Sequence, residues 1–350
     1  MAIYKDFNIQ PENSLVSSDV VTNVKDTVSS GMWADGAGSI TSFFTSSTQS
    51  GSSGDYYLDV YSANPQSDST AKPQFSVAYG HFNGSGSLGA VGVDGNRASA
   101  AIYRQLTNTL LGPNEEKFTF AGSGANITPD YVYAISIARQ QLREKMDPGN
   151  WEIHISGSGG PQKKYKFIDD SGATTNPTVN QGGRVFNIVS GSISGGVTST
   201  NKTAAAQGNG AYGLFYPDLG ILIFNGPALN ASASLSTDVT SNTAGGNVVE
   251  FYEDIKVASY FQARREEVIT SQHYFCRVPN KEFNFSANPT FTSGSNGDFT
   301  VSTFFKNPKT FVTQVGLYND NNELLAIAKL SKPLEKSYSK EAIIKVKLDF

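Results

Sequence analysis

Three glycines in QFSVAYGHFNGSGSL (Gly80, Gly84 and Gly86) follow a strand-like run and precede a helix-like one. In that setting backbone N–H groups can cradle phosphate. Two details argue against it. A phosphate loop needs a lysine and a hydroxyl directly after its last glycine, and no lysine follows here before the helix. A dinucleotide fingerprint must open its helix directly, whereas about ten residues separate Gly86 from NRASAAIYRQLTNTLL. The stretch therefore reads as a glycine-rich surface loop, with His81 and Phe82 as candidate contact residues.

The remaining chemistry-bearing residues are scattered. His81, His154 and His273 are far apart, and none has a second ligand at metal-binding spacing. His273 and Cys276 lie three apart in SQHYFCRV, a spacing that puts them on opposite faces of a strand. The sole cysteine reads as a small buried apolar residue and allows no intrachain disulfide. Asp169-Asp170, Glu115-Glu116 and Glu266-Glu267 are adjacent doublets, and adjacent carboxylates do not flank a scissile bond. The sequence implies no catalytic residue, no cofactor and no metal.

Composition narrows the class. Charged residues make up 17% of the 350, against about 25% in ordinary domains. The 34 glycines, 22 phenylalanines and 16 tyrosines suit a β-rich chain with many turns. A net charge of −4, with only short basic clusters, gives no footprint for nucleic acid. MAIYKDFNIQPENS lacks the pattern of a signal peptide, and no apolar run reaches membrane-spanning length. The expected setting is a reducing cytoplasm, with no membrane partner.

Residues 1–54 are polar and Gly/Ser-rich, and are expected to form an extended arm or linker that orders on a neighbour. Trp33, Phe43 and Phe44 are its candidate anchors. A mixed α+β domain is expected over 55–250. It holds strands at DYYLDVYSA and PQFSVAYG, a helix over 97–111, and strands at WEIHIS, KKYKFIDDSG and RVFNIVSGSI. AYGLFYPDLGILIFNG reads as a hairpin turning at Pro217–Gly220. Thr128-Pro129-Asp130 reads as a helix opening, which predicts a helix over 129–146 stopped by Asp147-Pro148-Gly149. A helical connector is expected over 251–270. A β domain then covers 271–350, with strands at HYFCRV, EFNFS, DFTVSTFF, TFVTQVGLYN and LLAIAKL and a closing strand alternating Ile344, Val346, Leu348. The fold class is α+β, predominantly antiparallel β with a few short helices and the extended N-terminal arm.

Longer blocks carry a resemblance. ASYFQARREEVITSQHYFCRVPNKEFNFSANPTF and FVTQVGLYNDNNELLAIAKLSKPLEKSYSKEAIIKVKLDF resemble virion structural proteins of marine myoviruses, contractile-tailed phages of cyanobacteria and related hosts. AYGHFNGSGS, REKMDPGNWEIHIS, FIDDSGAT, FNIVSGSI and AYGLFYPDLGILIFNG are similar to further blocks, so the resemblance covers roughly 55–350. It implies a tail or baseplate component, wedge-like, assembled in the host cytoplasm into the virion. Its implied partners are other tail and baseplate proteins and copies of itself. A neck or tail-connector protein, or a glycan- or receptor-binding module of a tail fibre, is the alternative. The resemblance transfers no catalytic residue.

Overall fold

The computed structural model describes residues 20–46, 57–84, 98–122, 126–157, 164–174, 176–202, 210–233, 235, 244–286 and 288–349. The chain divides into two units, Val28–Glu267 and a smaller one taking in Met1–Thr27 and Val268–Phe350. Of the expected arm, residues 1–19 and 47–54 lie outside the described residues, as does Gly86.

The elements, in chain order, are β1 (Val20–Gly31), β2 (Tyr57–Tyr61), β3 (Pro73–His81), α1 (Ala98–Leu110), β4 (Tyr131–Ile137), β5 (Lys145–Ser156), β6 (Lys164–Asp169), β7 (Gly183–Ser192), β8 (Gly213–Tyr216), β9 (Ile221–Asn225), α2 (Gly226–Ala233), α3 (Ala244–Ala258), β10 (Phe261–Val278), β11 (Thr310–Tyr318), β12 (Leu324–Lys336) and β13 (Ala342–Asp349). β1 and β10 each run from one unit into the other.

In the larger unit, the first residues of β10 pair with β5, followed by β6, β7, β8, β9, β4, β3, β2 and Phe44–Thr45, each pairing antiparallel. The expected fold class, α+β with mainly antiparallel sheet, is the observed one. The sheet is covered on both faces. Val248, Phe251, Tyr252 and Ile255 recur at helical spacing on α3, and α3 packs on β3 and β5 over a cluster holding Phe75, Val77, Tyr133, Ile135, Trp151 and Ile153. Tyr103 and Leu110 of α1 sit with Val132, Ala134, Leu214 and Ile223 in a second cluster.

That double cover explains the error over 129–146. Tyr133 and Ile135 of β4 enter one cluster and Val132 and Ala134 the other, so YVYAISI is apolar at nearly every position. A strand buried on both faces loses its alternation and cannot be told from a buried helix by periodicity. The helix reduces to one turn at Arg139–Leu142, and Asp147-Pro148-Gly149, expected as a stop, lies within β5. The register against β10 slips there, with Ala263 opposite Trp151 but Arg265 opposite Met146. The helical connector over 251–270 is corrected in the same way. α3 ends at Ala258, Ser259 takes a positive φ of 57°, and β10 begins at Phe261.

Residues 28–46 are not a free arm either. Ser39–Ile40 pair with Phe261–Gln262, and the Trp33 ring lies 4.8 Å from that of Phe261. Trp33 and Phe43 are buried in the larger unit's core, with Phe43 edge-on to Phe75. A Gly/Ser-rich segment hides these anchors because only two or three large side chains in it do the packing.

In the smaller unit Ser271–Val278 of β10 pair with Ala342–Asp349 of β13, with Ile344 and Val346 buried and Lys345 and Lys347 exposed, as the alternation predicts. β11 and β12 form a separate two-stranded sheet. EFNFS is not a strand, because Phe283 takes φ 54°; DFTVSTFF forms two strand residues and then a 3-10 turn at Ser302–Phe305.

A candidate assembly surface

The polar residues singled out by type hold turns and strands together. Gly80 and Gly84 serve packing: a Cβ on Gly80 would lie 3.1 Å from the Tyr103 backbone, and one on Gly84 would fall 1.8 Å from the Ser99 Oγ. The glycines thus let α1 approach the sheet closely. His81 is buried against the stacked ring of Tyr131, and its Nδ1 accepts the Asn83 N–H at 3.1 Å. Burial pushes its pKa below the ordinary histidine value. Phe82 packs edge-on to Tyr103 with the Lys117 ammonium 4.3 Å from its ring centre. Of the five candidate contact residues, Phe44 is the exposed one; Trp33, Phe43 and His81 are buried and Phe82 is partly covered.

The strongest acid–base pairing is one the sequence did not suggest. Glu152 Oε1 lies 2.6 Å from His154 Nε2 on β5, and Glu152 Oε2 accepts the Ile193 N–H at 2.9 Å. His154 stacks on Tyr260 at 4.5 Å, and burial lowers its pKa despite the carboxylate. Both carboxylate oxygens and the Nε2 are thereby engaged within the fold. Asp169 accepts the N–H groups of Gly149 and Ser171, and Asp170 those of Asn187, so the doublet pins two turns. Burial raises the Asp169 carboxyl above the usual range. Cys276 is half-buried rather than buried. Among the described residues no group of three metal-ligating side chains converges.

The smaller unit presents apolar surface instead. On the hairpin Leu325 is 67% exposed and Leu324, Ile327 and Phe311 each more than half, while Val315, Leu317, Ala326 and Ala328 on its other face are partly open; on β13 Ile343 is also more than half exposed. The two faces follow from register: Gly316 lies opposite Ile327 and Val315 opposite Ala328. Tyr318 and Leu324 close over Gly316, where a Cβ would meet the Tyr318 ring at 2.9 Å. A two-stranded sheet is marginal alone in water, and one with apolar side chains on both faces is a template for association.

Beside the hairpin in sequence lies an aromatic cavity of about 300 Å³, lined by Lys281, Phe283, Asn284, Phe285, Phe299, Pro308 and Tyr338. Lys336 builds its wall. This fully buried lysine donates to Asn280 O (2.9 Å), Asn284 Oδ1 (3.1 Å) and Ser337 O (3.1 Å), and burial lowers its pKa. Thr310 Oγ1 donates to the Phe283 carbonyl, fixing the residue in its left-handed conformation. Sequence reading passed over these residues because they looked like ordinary strand positions. A usable signal was present: apolar residues at successive positions of LLAIAKL, in a stretch with no helix to cover the second face.

Comparison with protein-family models, with curated proteins and with solved structures finds no match. Among the described residues no helix is long and apolar enough to cross a membrane.

Proposed function

We propose that this chain is a structural subunit of a phage virion, most simply of the contractile-tail baseplate, and that it acts through protein–protein packing without catalysis. The observation that carries the reading is the β11–β12 hairpin, a two-stranded sheet whose apolar side chains are exposed on one face and partly open on the other. A chain that functions alone has no use for such a surface, whereas a subunit buries it against neighbours. The block resemblance to myovirus structural proteins supplies the kind of particle. The neighbours are other tail or baseplate proteins and copies of this chain.

The test is location. Antibody-gold labelling of purified particles is expected to mark the far end of the tail. Label at the head–tail junction would move the subunit to the neck, and its absence from particles would overturn the reading.

A further inference from the structure

Lys336 ends β12 fully buried, yet among the described residues it makes no ion pair. Its three acceptors, Asn280 O, Asn284 Oδ1 and Ser337 O, are all neutral. A buried ammonium held only by neutral groups is costly, because no partner charge offsets its lost hydration. Burial accordingly lowers its pKa, toward the amine that carries a lone pair.

An acyl group stands beside it. The Lys336 Nζ lies 3.1 Å from Asn284 Oδ1, which is one covalent bond from the carboxamide carbon. Asn284 is buried too, and its Nδ2 donates to Asn280 O at 2.7 Å, so both ends of the amide are held. The residue before it, Phe283, takes a left-handed φ of 54° and is fixed by Thr310 at the start of β11. Phe283, Phe285, Phe299 and Tyr338 line the cavity together with Asn284. A carboxylate completes the set. Glu282 and Glu341 are the carboxylates whose charge reaches Lys336, and Glu341 is paired with Arg277. Glu282 Oε2 is buried with no hydrogen-bond partner among the described residues.

We infer that Lys336 and Asn284 join in an intramolecular isopeptide bond, with Glu282 as the proton relay. Glu282 takes a proton from the Lys336 ammonium, and the neutral Nζ attacks Asn284 Cγ. The Cγ–Nδ2 bond breaks as Nδ2 takes up the second proton shed by Nζ. The ammonia leaves as ammonium with the proton that Glu282 held, which restores the carboxylate. Lysine ammonium and carboxamide thus give a secondary amide and ammonium, and nothing is oxidised or reduced. Fixed proximity is what makes an unactivated amide reactive toward an amine. The cavity that Asn284 lines gives the ammonium a way out.

The bond removes the buried charge and ties residues 52 positions apart at the base of the β11–β12 hairpin. A link of that span restricts the unfolded chain as a disulfide does, and the single cysteine allows no disulfide within the chain. Its formation depends on these side chains alone, not on the assembly role.

Mass spectrometry of the full chain, intact and digested, tests it. Wild type is expected to be lighter than its sequence by one ammonia. It should yield a branched tryptic peptide joining residues 282–306 to 330–340, because trypsin no longer cuts after Lys336. A succinimide at an Asn-Gly step such as Asn296-Gly297 sheds ammonia as well, so the branched peptide decides. Lys336→Arg and Asn284→Ala are each expected to keep the full mass of their sequence. Glu282→Gln is expected to leave most of the chain unlinked with circular dichroism as in wild type, and Glu282→Asp to recover part of the link. Wild type at its full sequence mass, or an ammonia loss that maps away from Asn284 and Lys336, would overturn the inference. A Glu282→Gln chain as fully linked as wild type would remove Glu282 from the step.

Discussion

On β4 of the larger unit, adjacent Val132 and Tyr133 are both fully buried, one on each side of the sheet. On β12 of the smaller unit, Leu325 and Ile327 are more than half exposed and Ala326 between them is partly open. The first seven residues of β12, LLAIAKL, are about as apolar as β4, so over that stretch the difference lies in what covers them. α1 and α3 lie over the larger sheet, whereas the only helical piece in the described part of the smaller unit beyond β10 is the single turn at Ser302–Phe305. The larger unit buries both faces of its central strands within one chain. The smaller unit leaves apolar side chains of its hairpin open, and that is the physical basis for proposing it as the assembly surface.

The contrast can be broken at several points. The largest effect is expected for Trp33→Ala, which empties a site between Phe75 and Phe261 and should cost about 3–5 kcal/mol in urea unfolding. A cost below about 1 kcal/mol would mean that residues 28–46 are an arm after all. Lys336→Met is the matching test in the smaller unit. It leaves the Oδ1 of buried Asn284 and the carbonyl of buried Ser337 without this donor, and a loss of about 3 kcal/mol is expected, with faster amide exchange over residues 280–286. Unchanged exchange there would mean the cavity wall does not depend on the lysine.

A smaller effect is expected from Asp254 on α3. Its Oδ2 is buried without a partner among the described residues, and burial, with Glu250 and Glu253 beside it, pushes its pKa up to about 7. Between the ordinary carboxyl value near 3.8 and about 7 the folded chain holds a proton that the unfolded chain has released. Stability from this group therefore falls as pH rises through that window. Asp254→Asn should leave stability near pH 4 unchanged and raise it above pH 7 by about 1 kcal/mol, allowing for the water that reaches this partly buried side chain. Equal thermal midpoints for the two proteins at pH 8 would count against it.

The smallest effect sharpens the comparison most. Leu325→Ser on the open hairpin should change the stability of the isolated chain by less than about 0.5 kcal/mol. The same variant should lower incorporation into particles when it replaces the wild-type chain during infection. Normal incorporation would remove the hairpin from the assembly surface.

Where one face is covered and the period is clean, the sequence was legible: β13 and α1 lie where their patterns put them, while the hairpin of β8 and β9, buried on both faces, was placed by its turn at Pro217–Gly220. Where both faces are covered, as on β4, local pattern pointed to a helix, and the sheet pairing with β3 and β9 overruled it. The candidate contact residues fared worst, because exposure is not a local property. Trp33 and Phe305 are both aromatics in Gly/Ser/Thr-rich surroundings, yet one is fully buried and the other is the most exposed large apolar side chain described.

The sequence by itself determined the β-rich class, the hairpin turn at Pro217–Gly220 and the alternation of β13. These follow from backbone preference and side-chain period, which act over a few residues. Only the tertiary structure decided that Gly80 and Gly84 make room for α1, that Trp33 belongs to the core, and that Lys336 holds Asn284, 52 positions away, in the wall of an aromatic cavity. Burial and cavity shape depend on which distant segments meet, and that is a property of the folded chain as a whole.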